Sequence, residues 1–158
     1  MSLTPRSPRA SFSEMLQVVL PNDANTLGFA LGGHVMHLID MAGAIAAYRH
    51  TRGQVVTAAV DGLQFLHPIR IGDLIILEAR VTAAFRTSLE VEVEVFSEDT
   101  LTGERKQTSI AYLTFVTIER DGRRTPVPPL ALETDDDRRR AHDAEARRAI
   151  RLQQRRPR

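Results

Sequence analysis

Cysteine is absent from the 158 residues, and so is tryptophan. The first absence removes disulfides, zinc–thiolate sites and a cysteine nucleophile together, and it suits a reducing compartment. The second, with aromatics at only 5%, leaves the core to Val, Leu, Ile and Ala. No stretch approaches the roughly 20 consecutive apolar residues of a membrane-spanning helix. Residues 1–10 carry Arg6 and Arg9 without the apolar run that a secretory leader needs. An excess of one charge is lacking too: 21 basic residues stand against 20 acidic ones, for a formal net charge of +1. Such a balance supplies no general attraction to nucleic acid or to an anionic membrane. What remains is the composition of a globular protein, 42% hydrophobic and 26% charged, at the length of one ordinary domain. The cytoplasm is the expected location.

The chain divides into three parts. Residues 1–10, rich in Pro, Ser and Arg, are expected to be disordered. A folded domain is expected over 11–130, and a charged, helix-prone tail over 131–158. Within the domain a short strand is placed at about 11–20, ended by Pro21. A loop rich in Asn, Asp and Gly follows, PNDANTLGFALGG. From Gly33 to about His50 small and apolar residues cover most of a helix, which predicts burial nearly all round. Four extended segments come next, at about 54–66, 73–85, 87–98 and 105–119, and short turns between them make antiparallel pairing the natural choice. The segment SLEVEVEVF alternates without a break, so one face belongs to the core and the other to solvent. One apolar helix and a run of antiparallel strands are best reconciled by a sheet curled around the helix. The expected class is therefore α+β, a hotdog fold with a five-stranded antiparallel sheet, one long central helix and a charged C-terminal helix. A lone curled sheet leaves an edge open, which predicts dimerisation.

Asp40 is the residue that most needs explaining, since Leu38, Ile39, Met41 and Ala42 flank it. Burying a carboxylate without a partner costs several kcal/mol, so it has either a functional role or a structural one at a subunit interface. Gly32-Gly33 leads into the same helix. Free N–H groups at such a start can polarise a carbonyl oxygen, although a Gly-Gly step is by itself an ordinary turn. Asn25 alone is a loop asparagine. Taken together, an amide, a helix N-terminus and a mid-helix carboxylate are the parts of a site that binds a carbonyl and directs water at it. His34 and His37 lack a third ligand nearby, so no metal site is expected. Ser88 and Ser109 lack the G-x-S-x-G setting of a serine hydrolase. The arginines of the tail, Arg138–Arg140, Arg147, Arg148, Arg155 and Arg156, are interleaved with six acids from Glu133 to Glu145, which favours a solvated helix over a nucleic-acid tail. The terminal RLQQRRPR is expected to fray.

From about Leu20 to Arg148 the sequence resembles the cytosolic acyl-CoA hydrolases (thioesterases) of the hotdog superfamily. The resemblance is carried by VLPNDANTLGFALGGHVMHLIDMAGAIAAYRH, VVTAAVDGLQFLHPIRIGD, RTSLEVEVEV, TPVPPLALET and AEARR. It implies hydrolysis of a fatty acyl-CoA thioester, with Asp40 and Asn25 as catalytic residues and Gly33 beside the thioester oxygen. It assigns coenzyme A contacts to Ala58, Ala59, Val60, Thr87, Ser88 and Leu89, and phosphate contacts to Arg147 and Arg148. It implies no cofactor beyond the coenzyme A of substrate and product. It further implies a homodimer with sites shared between chains, and a homohexamer formed as a trimer of dimers. Asp40 would act either as general base or as nucleophile through a mixed anhydride. Phe85 stands before Arg86 where the family has a glycine. Two rivals remain, a hotdog enoyl-CoA hydratase and a non-catalytic acyl-CoA-binding protein. The first lacks its His-bearing motif here, and the second lacks a DNA-binding module.

Overall fold

Antiparallel pairing accounts for all five strands. The computed structural model describes residues 3–155 and Pro157. Its elements are a short helix α1 (Pro8–Ser11), β1 (Ser13–Val18), a single 3-10 turn (Pro21–Asp23), α2 (Gly32–Thr51), β2 (Val55–Phe65), β3 (Leu74–Ala84), β4 (Ser88–Glu98), β5 (Arg105–Thr117) and α3 (Asp135–Gln154). The strands form one sheet in the order β1-β3-β4-β5-β2, every neighbour antiparallel. The expected hotdog class and the expected strands are therefore what the chain builds. β1 and β2 are the sheet's two edges.

One face of the sheet carries the core. Ile75, Leu77, Ala79, Leu89, Val91, Val93, Val95, Leu113 and Phe115 pack with Val35, Leu38, Ile39, Ala42 and Ala46 of α2. Gly43 lets the helix approach closely, since a Cβ there would lie 3.2 Å from the Phe115 ring. The helix ends where Arg52 turns left-handed (φ 53) and its N–H bonds the Tyr48 carbonyl. β2 is irregular, with register shifts between Thr57 and Ala59 and between Asp61 and Gln64. Gly62 supplies the positive φ of 67 at the second of these.

Three expectations are corrected. The segment from residue 3 to 10 is ordered: Arg6 N–H donates to the Pro129 carbonyl, the Arg6 side chain bonds the His50 carbonyl, and Ser7 caps α1. Met1 and Ser2 lie outside the described residues. α2 is buried on one side only and exposes Met36, Met41, Ile45 and Tyr48 along the other. Finally, two glutamates of β4, Glu90 and Glu92, do not face solvent. Glu90 is 1% exposed and Glu92 4%, because α3 lies over that face and seats Ala144, itself 0% exposed, against it.

α3 is capped by a reciprocal Thr134–Asp137 pair, with Asp135, Asp136 and Asp137 in its first turn, which suits the helix dipole. As expected, most of it is solvated, only Ala144 being buried, but one face meets the sheet. Arg140 bonds Glu92, Arg147 bonds Glu90 and Arg151 bonds Asp61, each across to the sheet. RLQQ of the tail is the helix's last turn and not a frayed end; Arg156 and Arg158 lie outside the described residues.

Candidate active site

Two places in the fold gather the candidate residues. The first surrounds the N-terminal half of α2. Asn25 sits at a loop in which its Oδ1 accepts from the N–H groups of Leu27 and Phe29, at 3.0 and 3.1 Å. Its backbone N–H also donates to the Phe29 carbonyl at 2.8 Å. With the side-chain oxygen tied into the loop, the amide nitrogen is the group left to donate outward. Asn25 lines a cavity of about 360 Å³ together with Gly32, Phe65, Leu66, His67 and Ile69. α2 starts at this cavity without a side-chain cap, so its first N–H groups are open to a ligand oxygen. Gly33 is exposed beside it, and nothing lies within 4 Å of where its Cβ would be.

Asp40 lies about 12 Å further along the helix, two turns on. It is exposed in the single chain, contrary to the burial expected of it, and it is not without a partner. Thr57 Oγ1 donates to Asp40 Oδ1 at 2.6 Å. β2 runs beside α2 with Thr57 under the carboxylate and Phe65 under Gly32. Thr57 is the residue that sequence reasoning missed. The one available signal was a lone hydroxyl in an otherwise apolar strand segment, VVTAAV. Within one chain Asn25 and Asp40 do not share a cavity: Asn25 opens on the cavity at the helix start, and Asp40 opens on the uncovered side of α2.

The second place is a cavity of about 440 Å³ between β2, β4, β5 and the end of α3. Ala58, Ala59, Ser88 and Arg148 line it, with Arg124, Arg151 and Arg155 adding cationic groups. Four of the candidate coenzyme A residues are thus brought together by strands and a helix far apart in sequence. The others stand elsewhere. Leu89 is 0% exposed in the core, so no ligand reaches its side chain. Thr87 is buried, and its carbonyl accepts from the Thr117 N–H and hydroxyl. Val60 is on the exposed part of β2 but outside this cavity. Arg147 is turned toward Glu90, to which its Nε and Nη2 donate at 3.1 and 2.8 Å.

A carboxylate oriented by a hydroxyl, an amide donor and an open helix N-terminus together equip a hydrolase that needs no nucleophilic serine or cysteine. Comparison with known proteins gives that class its family. Residues 27–104 match the family model of the thioesterase superfamily. The acyl-CoA thioester hydrolase YkhA of Bacillus subtilis (strain 168), itself described as uncharacterized, is 40% identical over 119 residues, 75% of this chain and 69% of that one. The chain belongs to the acyl-CoA thioester hydrolases of this superfamily.

The human cytosolic acyl coenzyme A thioester hydrolase is 34% identical over 90% of this chain, which spans only 38% of that longer protein. Among solved structures, an apo-hexameric acyl-CoA thioesterase superposes with a TM-score of 0.91 at 36% identity, covering 96% of this chain and 97% of the other. The acyl-CoA hydrolase of Staphylococcus aureus, solved with butyryl coenzyme A and coenzyme A, superposes with a TM-score of 0.84 at 33% identity, covering 94% and 93%. Structures of three alanine variants of that enzyme are also known, at an asparagine, an aspartate and a threonine. The three have the same spacing along their chain as Asn25, Asp40 and Thr57 have here.

Proposed function

We propose that this protein hydrolyses fatty acyl-CoA thioesters to the free acid and coenzyme A, at sites each built from two copies of the chain. The observation that carries the reading is Asp40 itself, a carboxylate fixed by Thr57 on a side of α2 that the single chain leaves uncovered. An apolar helix face with Met36, Met41, Ile45 and Tyr48 beside it, next to an edge strand exposing Val56, Val60 and Phe65, is a surface for a second copy. A partner docked there brings its own Asn25 loop and helix start toward Asp40. The hexameric relative supports an assembly of three such dimers. The complex of the Staphylococcus aureus enzyme with butyryl coenzyme A supports the substrate class.

In the general-base route, a water oxygen bonds to the thioester carbon while Asp40 takes the water's proton. The negative charge that develops on the carbonyl oxygen meets the Asn25 amide and the N–H groups at Gly32 and Gly33. Collapse of this intermediate breaks the carbon–sulfur bond. The proton held by Asp40 then passes to the departing thiolate, giving acid and thiol. In the alternative, Asp40 attacks the carbon itself and water opens the resulting anhydride. Water and these side chains balance the reaction, so no metal or redox cofactor is assigned. The nucleotide end of the substrate is assigned to the cavity holding Ala58, Ala59, Ser88 and Arg148, where cations meet phosphates. We place the protein in the cytoplasm and in fatty acid metabolism. The description of the human relative as cytosolic supports that location, as does the lack of cysteine; among the described residues no helix is long and apolar enough to cross a membrane.

The test is subunit mixing, followed by free-thiol release from acyl-CoA. Asn25→Ala and Asp40→Asn assemblies should each be nearly inactive. After subunit exchange, about half of all dimers are mixed and each has one intact site of two, so activity should return to roughly a quarter of wild type. Mixed dimers, verified by mass, that stay inactive would place both residues in one chain.

A further inference from the structure

Arg147 and Arg148 are neighbours in α3, yet the fold pairs the first with a carboxylate and leaves the second at the cavity, stacked on the Phe85 ring with no carboxylate partner among the described residues. Arg147 makes a two-pronged bond to Glu90 and its guanidinium carbon lies 3.6 Å from the centre of the Tyr112 ring. Glu90, on the covered face of β4, also accepts from Thr82 Oγ1 at 2.6 Å. One turn further along α3, Arg151 Nη1 donates to Asp61 Oδ2 at 2.7 Å. The helical wall of the second cavity, Arg148, Arg151, Leu152, Gln154 and Arg155, hangs from these two pairs. Arg124, Arg148 and Arg155 line the same cavity, and no carboxylate among the described residues pairs with them. A buried carboxylate left without its arginine is strongly disfavoured, so Glu90 holds Arg147 firmly. An arginine already neutralised, forked and stacked has little left to offer a phosphate.

We propose that Glu90 is a positioning residue for the nucleotide end of the substrate. Through Arg147 it fixes the seat of α3 and so the place of Arg148 and Arg155, which with Arg124 meet the phosphates. Arg147 itself does not touch them. This rests on the acyl-CoA reading above.

The experiment compares butyryl-CoA with S-butyryl-N-acetylcysteamine, which lacks the nucleotide, using the assembled enzyme. Glu90→Gln keeps the shape and removes the charge. KM for butyryl-CoA should rise about tenfold with kcat within about twofold of wild type, while the loss on the truncated thioester is much smaller. Adding Arg147→Met should leave KM no higher than in the single variant, because the link it would break is already broken. If Arg147 is instead a phosphate ligand, Glu90→Gln frees it, and KM stays level or falls; the double variant is then worse than the single. Either result overturns the proposal. Should Glu90→Gln fail to assemble, Asp61→Asn loosens the same helix through Arg151, with KM expected to rise about threefold; an unchanged KM again overturns it. Wild-type enzyme inert on butyryl-CoA would overturn the functional reading, an outcome distinct from active wild type with Glu90 indifferent.

Discussion

The two long helices of this chain reverse what their compositions announce. α2 is built from apolar and small residues, yet one whole side of it lies open, with Met36, Met41, Ile45 and Tyr48 exposed. α3 is among the most charged stretches of the sequence, yet it is clasped to the sheet by arginines that reach Glu90, Glu92 and Asp61. The difference lies in where each finds its partner. Apolar surface is non-directional, so α2 can bury one side on its own sheet and keep the other for a second copy. Paired charges are directional and tolerate burial only with a matched group, so α3 is committed to one seat within the chain.

Three substitutions around α2 sharpen the contrast, in falling order of expected effect. On the open side, Asp40→Asn should lower kcat by about 10²–10⁴-fold with the melting temperature and assembly unchanged, because a general base or nucleophile is lost from a site that the fold does not need. Turnover within a few-fold of wild type would remove Asp40 from the chemistry. More than three turns from the helix start, Ile45→Arg should split the assembly into folded single chains that are inactive, as sedimentation would show. A charged residue there cannot enter an apolar contact, but costs little on a face already in water. An intact assembly would show that this side of α2 is not an interface.

On the buried side stands His50, whose Nε2 donates to the Pro128 carbonyl at 2.8 Å while Nδ1 has no partner among the described residues. Burial, opposed by that hydrogen bond and reinforced by the nearby Arg6 cation, holds its pKa below the ordinary 6.5. The unfolded chain therefore binds the proton more readily. The stability from neutral His50 is complete above pH 6.5 and is lost as the pH falls below it, toward the folded value. The slope is at most about 1.4 kcal/mol per pH unit, and His50→Gln should flatten the acid side of a plot of melting temperature against pH. An unaltered acid limb would mean that another group is responsible.

Much of this was legible in advance. The four long strands lie within a residue or two of where breakers and alternation place them, because local turn chemistry and apolar period are written locally. Asp40 stood out for a similar reason, an acid in an apolar helix, whereas Asn25 and the Gly-Gly step were a loop residue and a turn until set beside it. What was not legible depends on partners distant in sequence. Residues 3–10 have the composition of a disordered segment, but Arg6 finds carbonyls at His50 and Pro129. Glu90 and Glu92 alternate with valine as a solvent face would, and only arginines some fifty residues on make them an inner layer. Arg147 and Arg148 look equivalent until the helix phase turns one toward the sheet. Thr57 has no period or motif to mark it; its meaning comes from the helix it lies beneath.

The walls of the second cavity come from opposite stretches of the chain, for Asp61 and the arginine it holds are 90 residues apart. A ribosome delivers β2 long before α3. The nascent chain can complete its sheet, bury α2 against it and assemble the loop at Asn25 while the groove over Ala58 and Ala59 still lacks its lid of arginines. The order of synthesis thus completes the loop at Asn25 and the helix at Asp40 first, and the wall of this cavity last.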